Sequence, residues 1–277
     1  MKKSLKKLIG IVMIGVLALG ALTGCGSQKA SAAKDITIGV CAGPYGDMVK
    51  KAIAPSLEKK GYKVSVREFS DYVLPDQALA NGEIDANLMQ HTAYLEKFAA
   101  DNDLNISKVI AVPTAGAGIF SDSIKSLKEL KKGDKIGIPN DPSNLARALS
   151  ILGKEKVIVL KKGIDQTKAT EKDIAQNPKN LKFTEIKPEL LGTTFQNGEG
   201  DLVAINGNYA LQAGLNPMND ALIIEEVDAS NPYVNIVAVQ EGHEKDEKIQ
   251  ALIEVLKSDE IKQFVEDEYK GAVVMVD

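Results

Sequence analysis

The stretch VIAVPTAGAGIF, residues 109–120, is the part of the sequence that predicts the overall architecture. It is extended and apolar, and a second stretch of the same kind, NPYVNIVAVQ, covers residues 231–240. Two long extended segments, one leaving a lobe and one returning to it, make the chain between them an inserted second lobe. We therefore expect a first lobe from residues 35–116 and 234–277 and a second lobe from residues 117–233. Two such lobes enclose a hinged cleft for a small ligand.

Short strands and single helices alternate along the rest of the chain. β-branched runs such as Asp35–Cys41 and Lys135–Pro139 predict strands, whereas Ser143–Leu152 and Thr170–Gln176 predict helices. This alternation is typical of α/β proteins with mostly parallel sheets. The predicted fold class is therefore α/β, with two lobes and a ligand cleft between them. Composition does not separate an inserted lobe from two consecutive domains.

The first 34 residues predict a targeting segment and a tether. Met1–Lys7 is basic, and Leu8–Leu22 is an apolar run of about 15 residues, which at ~1.5 Å per residue is too short for a ~30 Å bilayer core. These proportions fit a secretory signal peptide over residues 1–24. The sequence LTGC that ends at Cys25 resembles the lipobox of bacterial lipoproteins, in which that cysteine is diacylated, and two acyl chains anchor a protein stably. The alternative is an ordinary signal peptide followed by an incidental cysteine.

A lipid anchor at Cys25 places the mature protein outside a membrane, on a flexible tether over residues 25–34 that is rich in Ser, Ala and Gly. It also leaves Cys41 as the remaining free cysteine, so no disulfide forms within the chain.

The composition excludes several function classes. The chain carries a formal charge of −4, and its first 24 residues hold four lysines and no acid, so the remainder stands at −4 − 4 = −8. An acidic body without tryptophan is a poor nucleic-acid binder, because a phosphate backbone requires a basic surface. Two histidines and two cysteines leave little for a metal cage. We expect no metal, no cofactor and no nucleic-acid partner.

The motifs of common enzyme classes are missing from the sequence. There is no G-x-x-x-x-G-K-[ST] phosphate loop and no G-x-S-x-G nucleophile elbow. A Cys41–His91 dyad of a surface hydrolase and a metal site that uses His91 and His243 stay as remote alternatives. A protein whose role is adhesion or interaction is a further alternative. We expect a binding protein that is not an enzyme.

Polar residues follow two of the predicted strands, where open α/β sheets bind ligands. Asn144 and Arg147 lie in the first turns of the helix after Lys135–Pro139, where free N–H groups and a guanidinium favour a carboxylate. Asn206 and Asn208 follow the strand that ends near Ile205, and their amides can both donate and accept. The alternatives are a helix capped by Asn or Ser with a surface Arg147 paired to an acid, and turn asparagines that tolerate positive φ.

Four further residues are candidates for the same site. Asn235 lies on the second extended stretch, and Tyr72, Met89 and His91 lie where predicted strands meet loops. They line an apolar side-chain pocket or, as the alternative, pack in the walls of the lobes.

The sequence resembles the NlpA/MetQ family of lipoproteins, the substrate-binding components of methionine ABC importers. The shared motifs occur in the family's order over nearly the whole mature chain: EFSDYV at 68–73, GEIDAN at 82–87, QH at 90–91 with YL at 94–95, IPNDP at 138–142, RAL at 147–149, INGNYA at 205–210 and PYVN at 232–235. This resemblance implies a type II periplasmic-binding-protein fold, methionine as ligand, and a permease with its ATPase subunit as partners. A monomer is expected.

The resemblance also implies a role for individual residues. Arg147 matches the arginine that binds the ligand carboxylate, Asn206 and Asn235 match asparagines that bond the amino-acid backbone, and Tyr72 and His91 match the pocket around the thioether.

Two departures from the family's pattern leave the ligand's identity open. Met89 replaces a more usual Phe, and residues 114–120 are unusually small. D-methionine, a methionine-containing dipeptide or another apolar amino acid are therefore alternatives to L-methionine.

Overall fold

The computed structural model of the protein describes residues 34–276. The predicted signal peptide, Cys25 and the tether up to residue 33 lie outside the described residues. Lys34 already belongs to the first strand. Between residues 34 and 276, none of the helices combines the length and apolar character that a membrane crossing requires.

The described chain forms twelve strands and ten α-helices. In chain order the strands are β1 (Lys34–Cys41), β2 (Tyr62–Phe69), β3 (Ala86–His91), β4 (Ile106–Ala111), β5 (Gly118–Phe120), β6 (Lys135–Pro139), β7 (Val159–Leu160), β8 (Ile174–Gln176), β9 (Lys182–Ile186), β10 (Leu202–Ile205), β11 (Ala221–Ile224) and β12 (Asn235–Gln240). The helices are α1 (Pro44–Met48), α2 (Ala54–Lys59), α3 (Val73–Ala80), α4 (Thr92–Asp101), α5 (Pro142–Lys154), α6 (Pro188–Gln196), α7 (Gly207–Gln212), α8 (Pro217–Asp220), α9 (Glu247–Leu256) and α10 (Asp259–Tyr269).

Two five-stranded sheets organise these elements into a two-lobed α/β fold. The first sheet has the order β2-β1-β3-β12-β4 and the second the order β11-β5-β10-β6-β9. We call the layers built on these sheets the first and the second lobe. The first sheet takes β12 from the end of the chain, after all strands of the second sheet have been completed. The extended stretch 231–240 therefore returns the chain to the first sheet.

The sheets are mixed, which corrects the prediction of mostly parallel sheets. In the first sheet β1 runs parallel to β2 and β3, but β12 is antiparallel to both β3 and β4. In the second sheet β10, β6 and β9 are parallel, whereas β5 is antiparallel to β10 and β11. The strands that break the parallel pattern, β5 and β12, lie in the two extended stretches. They enter their sheets without a preceding crossover helix, so nothing imposes the parallel direction.

The helix predicted over Thr170–Gln176 is replaced by a tight turn and a strand. The Oδ2 atom of Asp173 accepts hydrogen bonds from the backbone N–H and hydroxyl of Thr170, at 3.0 and 2.9 Å. This reciprocal cap closes a 3₁₀ turn over Glu171–Asp173, after which β8 pairs with β7. Side chains that bond the local backbone compete with a continuing helix.

A wide turn separates α1 from α2. The residues Val49–Ile53 form a π-helical turn in which the N–H of Ala54 bonds the carbonyl of Val49. Pro55 follows directly, and proline has no N–H for the carbonyl four residues before it. The wider turn accommodates Pro55 without ending the helical run, which covers one face of the first sheet.

Separate apolar cores stabilise the two lobes, and a third cluster joins them. The first core packs α1, α2, α9 and α10 against the first sheet, and the second packs α5 against the second sheet. The joining cluster combines Cys41, Tyr72, Met89 and Tyr94 of the first lobe with Phe120, Leu191, Val203, Ile205 and Tyr209 of the second. The lobes are therefore in apolar contact beside the site described next.

Candidate functional site

The structure brings all eight predicted site residues together around one small cavity between the lobes. The cavity is lined by Tyr72, Met89, His91, Asn144, Arg147, Asn206, Asn208 and Asn235, and also by Tyr45, Gln90, Tyr94, Ala115 and Gly207. The space between these side chains measures about 10 Å³, which is about the room of one water molecule. In this closed arrangement the lining side chains largely fill the site themselves.

Strand ends explain why residues so distant in sequence meet here. β6 and β10 run parallel in the second sheet, so Asn144 and Arg147 on α5 lie beside Asn206 and Asn208 at the start of α7. In the first sheet the last residue of β3, His91, lies opposite Asn235, the first residue of β12. The cavity therefore forms where the ends of strands from both sheets converge, as expected for open α/β sheets.

The N-terminus of α5 is capped by a carboxylate of its own chain. The Oδ1 atom of Asp141 accepts the backbone N–H of Asn144 and the hydroxyl of Ser143, both at 2.9 Å. The side-chain amide of Asn144 also donates to both carboxylate oxygens, at 3.0 and 3.1 Å. Asp141 therefore occupies the backbone N–H of Asn144, one of the donors that the sequence assigned to a ligand carboxylate. The cap also fixes the orientation of the Asn144 side chain.

Asn144 connects the two lobes through its carbonyl oxygen. That oxygen accepts a hydrogen bond from Asn206 Nδ2 at 2.7 Å and lies 3.0 Å from His91 Nε2. The Nδ1 atom of His91 accepts the backbone N–H of Tyr94, so Nε2 carries the proton and donates to Asn144. Burial and the nearby Arg147 lower the pKa of His91 to about 3, so the imidazole is neutral.

Aromatic rings form the other wall of the cavity. The Tyr72 hydroxyl donates to Asn208 Oδ1 at 2.6 Å, which is a second polar contact between the lobes. The Tyr72 ring lies 5.6 Å from the Tyr94 ring and 5.0 Å from the Tyr209 ring. Nδ2 of Asn208 is buried and has no hydrogen-bond partner among residues 34–276. The wall combines apolar ring surface with one unused amide donor.

Arg147 is buried and paired with an acid that sequence reasoning missed. Its Nε donates to the Glu225 carboxylate at 3.0 and 3.2 Å, and its Nη2 donates to the same group. Both side chains are 4% exposed. The guanidinium carbon lies 5.0 Å from the centre of the Tyr233 ring. The pairing of Arg147 with an acid matches one of the two sequence interpretations, although that interpretation expected the pair at the surface.

Asn235 is held by the first extended stretch and by β3. Its backbone N–H donates to Thr114 Oγ1 at 2.9 Å, and its Nδ2 donates to the Met89 carbonyl at 3.3 Å. The small residues after Thr114 are explained by close packing. A Cβ at Gly116 would lie 2.8 Å from the Glu225 carbonyl, and one at Gly207 would lie 2.5 Å from Ala115 Cβ. The small segment therefore leaves no extra room in the cavity.

The alternative catalytic and metal sites are not assembled in the described chain. The Cys41 thiol donates to the Asp71 carbonyl at 3.1 Å, and burial raises its pKa well above the usual value. Both nitrogens of His91 are used by Tyr94 and Asn144. His243 lies on an exposed turn beside Asp246. Over residues 34–276, no group of three or more His, Cys, Asp or Glu side chains is arranged to hold a metal ion.

Five lining residues and Glu225 were not predicted. Gln90, Tyr94 and Gly207 lie in motifs already noted, and Ala115 lies in the small segment 114–120, so neighbouring residues indicated all four. Tyr45 lies in none of the noted motifs. Glu225 had no local signal, because its partner Arg147 lies 78 residues earlier in the chain.

Known proteins similar to this chain share its full length. The profile of the NlpA lipoprotein family matches residues 36–276. The methionine-binding lipoprotein MetQ of Bacillus subtilis is 41% identical over 98% of this chain and 99% of its own length. The D-methionine-binding lipoprotein MetQ of Salmonella typhi is 37% identical over 95% of this chain and 94% of its own length.

A solved structure with a bound ligand is among the similar folds. The nutrient-binding protein of Burkholderia cenocepacia bound to methionine superposes with a TM-score of 0.82 at 37% identity, over 87% of this chain and 99% of that one. The resemblance noted in the sequence is thereby confirmed by family, sequence and fold. The chain belongs to the NlpA lipoprotein family.

Proposed function

We propose that this protein is the lipid-anchored substrate-binding component of an ABC importer, which captures methionine outside the membrane and delivers it to the permease. The observation that carries the proposal is one buried guanidinium, Arg147, at a cavity between two lobes. The other lining residues are amides, aromatic rings, Met89 and the small residues Ala115 and Gly207. The names of two relatives, with the methionine bound in a third, support methionine as the ligand.

Each part of methionine has a counterpart in the site. Two nitrogens of Arg147 bind Glu225, and Nη1 has no hydrogen-bond partner among the described residues, so we assign Nη1 to the ligand carboxylate. Asn206 and Asn235 are assigned to the carboxylate and ammonium, because amides both donate and accept. Tyr72, Met89 and His91 are assigned to the thioether, which packs favourably against aromatic rings and other thioethers.

The ligand enters when the lobes separate. A cavity of about 10 Å³ does not hold an amino acid, and Tyr72 and His91, which are assigned to the ligand, bond other lining residues across the lobes. Opening breaks the contacts of His91 with Asn144 and of Tyr72 with Asn208. Methionine then offers new partners to the same groups, so its binding favours closure. We propose that the moving lobes are residues 35–116 with 234–277 and residues 117–233.

The location follows from the N-terminus and the family. We propose that residues 1–24 are removed, that Cys25 is acylated, and that the protein faces the extracytoplasmic side. The permease and its ATPase subunit are the proposed partners, and the ligand is transferred without a chemical change.

Calorimetry on the soluble segment 26–277 tests the proposal. We expect a dissociation constant in the micromolar range or tighter for methionine, equivalent to ~8 kcal/mol or more. D-methionine, glycyl-methionine, norleucine and leucine are measured beside L-methionine. Norleucine, which replaces sulfur by CH₂, isolates the contribution of the thioether. Absence of binding for every methionine compound would contradict the proposal.

Close packing beside the small segment argues against the dipeptide alternative. The small residues 114–120 suggest that alternative, but the Glu225 carbonyl and the side chains of Val227 and Ile224 fill the space beside Gly116. We therefore keep a single amino acid as the proposed ligand. Mass spectrometry of the natively purified protein identifies any ligand that it retains.

A further inference from the structure

Glu225 lies behind Arg147, outside the cavity that we assign to the ligand. It is absent from the lining of that cavity and instead lines a separate pocket of about 210 Å³ together with Lys154, Gln166 and Asn231. Its carboxylate accepts Nε and Nη2 of Arg147 and, at 3.3 Å, the backbone N–H of Ala117. Glu225 therefore contacts the guanidinium from the side opposite the ligand site.

The backbone around Glu225 is also closely fitted. The N–H of Glu225 donates to the Ala117 carbonyl at 2.9 Å, and a Cβ at Gly116 would lie 2.8 Å from the Glu225 carbonyl. The Tyr233 ring covers the guanidinium at 5.0 Å. These contacts hold both members of the ion pair, so Arg147 cannot turn its Nε edge toward a ligand without leaving a buried carboxylate unpaired. Such unpairing is unfavourable.

Arg147 and Glu225 together carry no net charge. Arg147 is the one charged residue in the described lining, His91 is neutral, and the Glu225 carboxylate balances the guanidinium. Charges interact strongly where both are buried, because water does not screen them. An anion that enters is attracted by Arg147 and repelled by Glu225. A zwitterion brings an ammonium that offsets this repulsion.

We infer that Glu225 is a positioning residue that presents the Nη1 edge of Arg147 to the ligand and gives the site its preference for zwitterionic amino acids over carboxylates without an ammonium. This inference rests on the proposed function, because it concerns the same ligand site. Glu225 then discriminates between the two ligand classes without contacting the ligand.

Calorimetry with two ligands tests the inference. Methionine is compared with 4-(methylthio)butanoate, which has the same thioether and carboxylate but no ammonium. We expect the native protein to prefer methionine, and Glu225→Gln to reduce the ratio of the two affinities at least tenfold. Glu226→Gln is the matched control, since Glu226 is the exposed neighbour, and its ratio stays at the native value. Glu225→Asp keeps the negative charge, so we expect it to retain the native ratio of the two affinities even if the affinity for each ligand falls.

The outcomes separate this inference from the proposed function. Methionine binding by the native protein with an unchanged ratio in Glu225→Gln would overturn the inference alone. Failure of the native protein to bind any methionine compound would overturn the proposed function as well. If Glu225→Gln does not fold, the double variant Arg147→Lys/Glu225→Gln keeps a cation for the ligand carboxylate and removes the carboxylate behind it. Its affinity ratio is expected to be at least tenfold below that of Arg147→Lys, and an equal ratio in the two variants would count against the inference.

Discussion

His91 Nε2 donates a hydrogen bond to Asn144 Oδ1 over 3.0 Å, and this contact joins the end of β3 in the first lobe to α5 in the second. The same oxygen accepts Asn206 Nδ2 at 2.7 Å. Three polar side chains of the cavity thus bond one another when the lobes are closed. The closed form needs no ligand to pair these buried polar atoms, and a ligand must replace their mutual contacts on binding.

Tyr72→Phe is expected to open the ligand-free protein. The substitution removes the hydrogen bond to Asn208 and keeps the ring, and the loss of one such bond costs about 1 kcal/mol. That amount shifts the closed-to-open ratio about fivefold. Small-angle X-ray scattering should show a larger radius of gyration without ligand and an unchanged one with saturating methionine. Tyr62→Phe is the control, because Tyr62 is buried in the first core. Identical scattering of Tyr72→Phe and the native protein would contradict this role.

Arg147→Lys is expected to weaken methionine binding at least tenfold. A lysine retains a positive charge beside Glu225 but lacks the planar fork that serves two partners at once. Arg147→Ala is less informative, because an unpaired buried carboxylate costs about 3–5 kcal/mol of stability. The control is Arg67→Lys, an exposed arginine paired with Glu83. Calorimetry measures both variants, and native affinity in Arg147→Lys would remove Arg147 from the ligand site.

Asp76→Asn is expected to remove a pH-dependent loss of stability. Asp76 is fully buried beside the cavity residue Gln90. The side-chain amides of Gln90 and Asn87 both donate to Asp76 Oδ1, whereas Asp76 Oδ2 has no partner among residues 34–276. Burial raises the pKa of Asp76 to about 7. The folded protein therefore holds a proton that the unfolded chain releases near pH 4.

The free energy of unfolding consequently falls as the pH rises from about 4, the unfolded pKa of Asp76, to about 7, its folded pKa. The decrease is on the order of 2–4 kcal/mol. Thermal unfolding at pH 5 and pH 8 measures it. Asp76→Asn should be more stable than the native protein at pH 8, with a smaller difference at pH 5. Asp122→Asn, at an exposed position, is the control. An equal pH dependence in Asp76→Asn and the native protein would show that Asp76 is not the group responsible.

Gly207→Ala is expected to destabilise the protein by about 1–3 kcal/mol and to weaken ligand binding. The new Cβ would lie within 2.5–2.6 Å of Ala115, partly against its backbone, and both residues line the cavity. Gly153→Ala is the matched control, because its Cβ meets Leu160 at 3.5 Å within α5. Alanine there favours the helix by up to about 1 kcal/mol. Equal thermal stability of the two variants would argue against close packing at Gly207.

Much of the site could be predicted because strand ends and motifs are local features. Arg147 follows β6 by one helical turn, and Asn206 follows β10 directly, so their position near a common edge can be read from spacing. The two extended stretches similarly predict where the chain passes between lobes. Strand ends, motifs and extended stretches are each recognised within one segment, so the residues that define them lie close together in the sequence.

Other features depend on contacts between distant segments, which leave no local pattern. The pairing of Arg147 with Glu225, the hydrogen bond between His91 and Asn144, and the antiparallel direction of β12 all arise when separate segments pack together. The position of Asp141 before α5 is typical of a helix cap and can be read from the sequence. Whether Asp141 or a ligand occupies this helix end depends on side-chain geometry. Periodicity and spacing thus specify which polar groups approach the cleft. Packing specifies which of them bond each other, because an unpaired buried polar group is unfavourable and most such groups therefore find a partner.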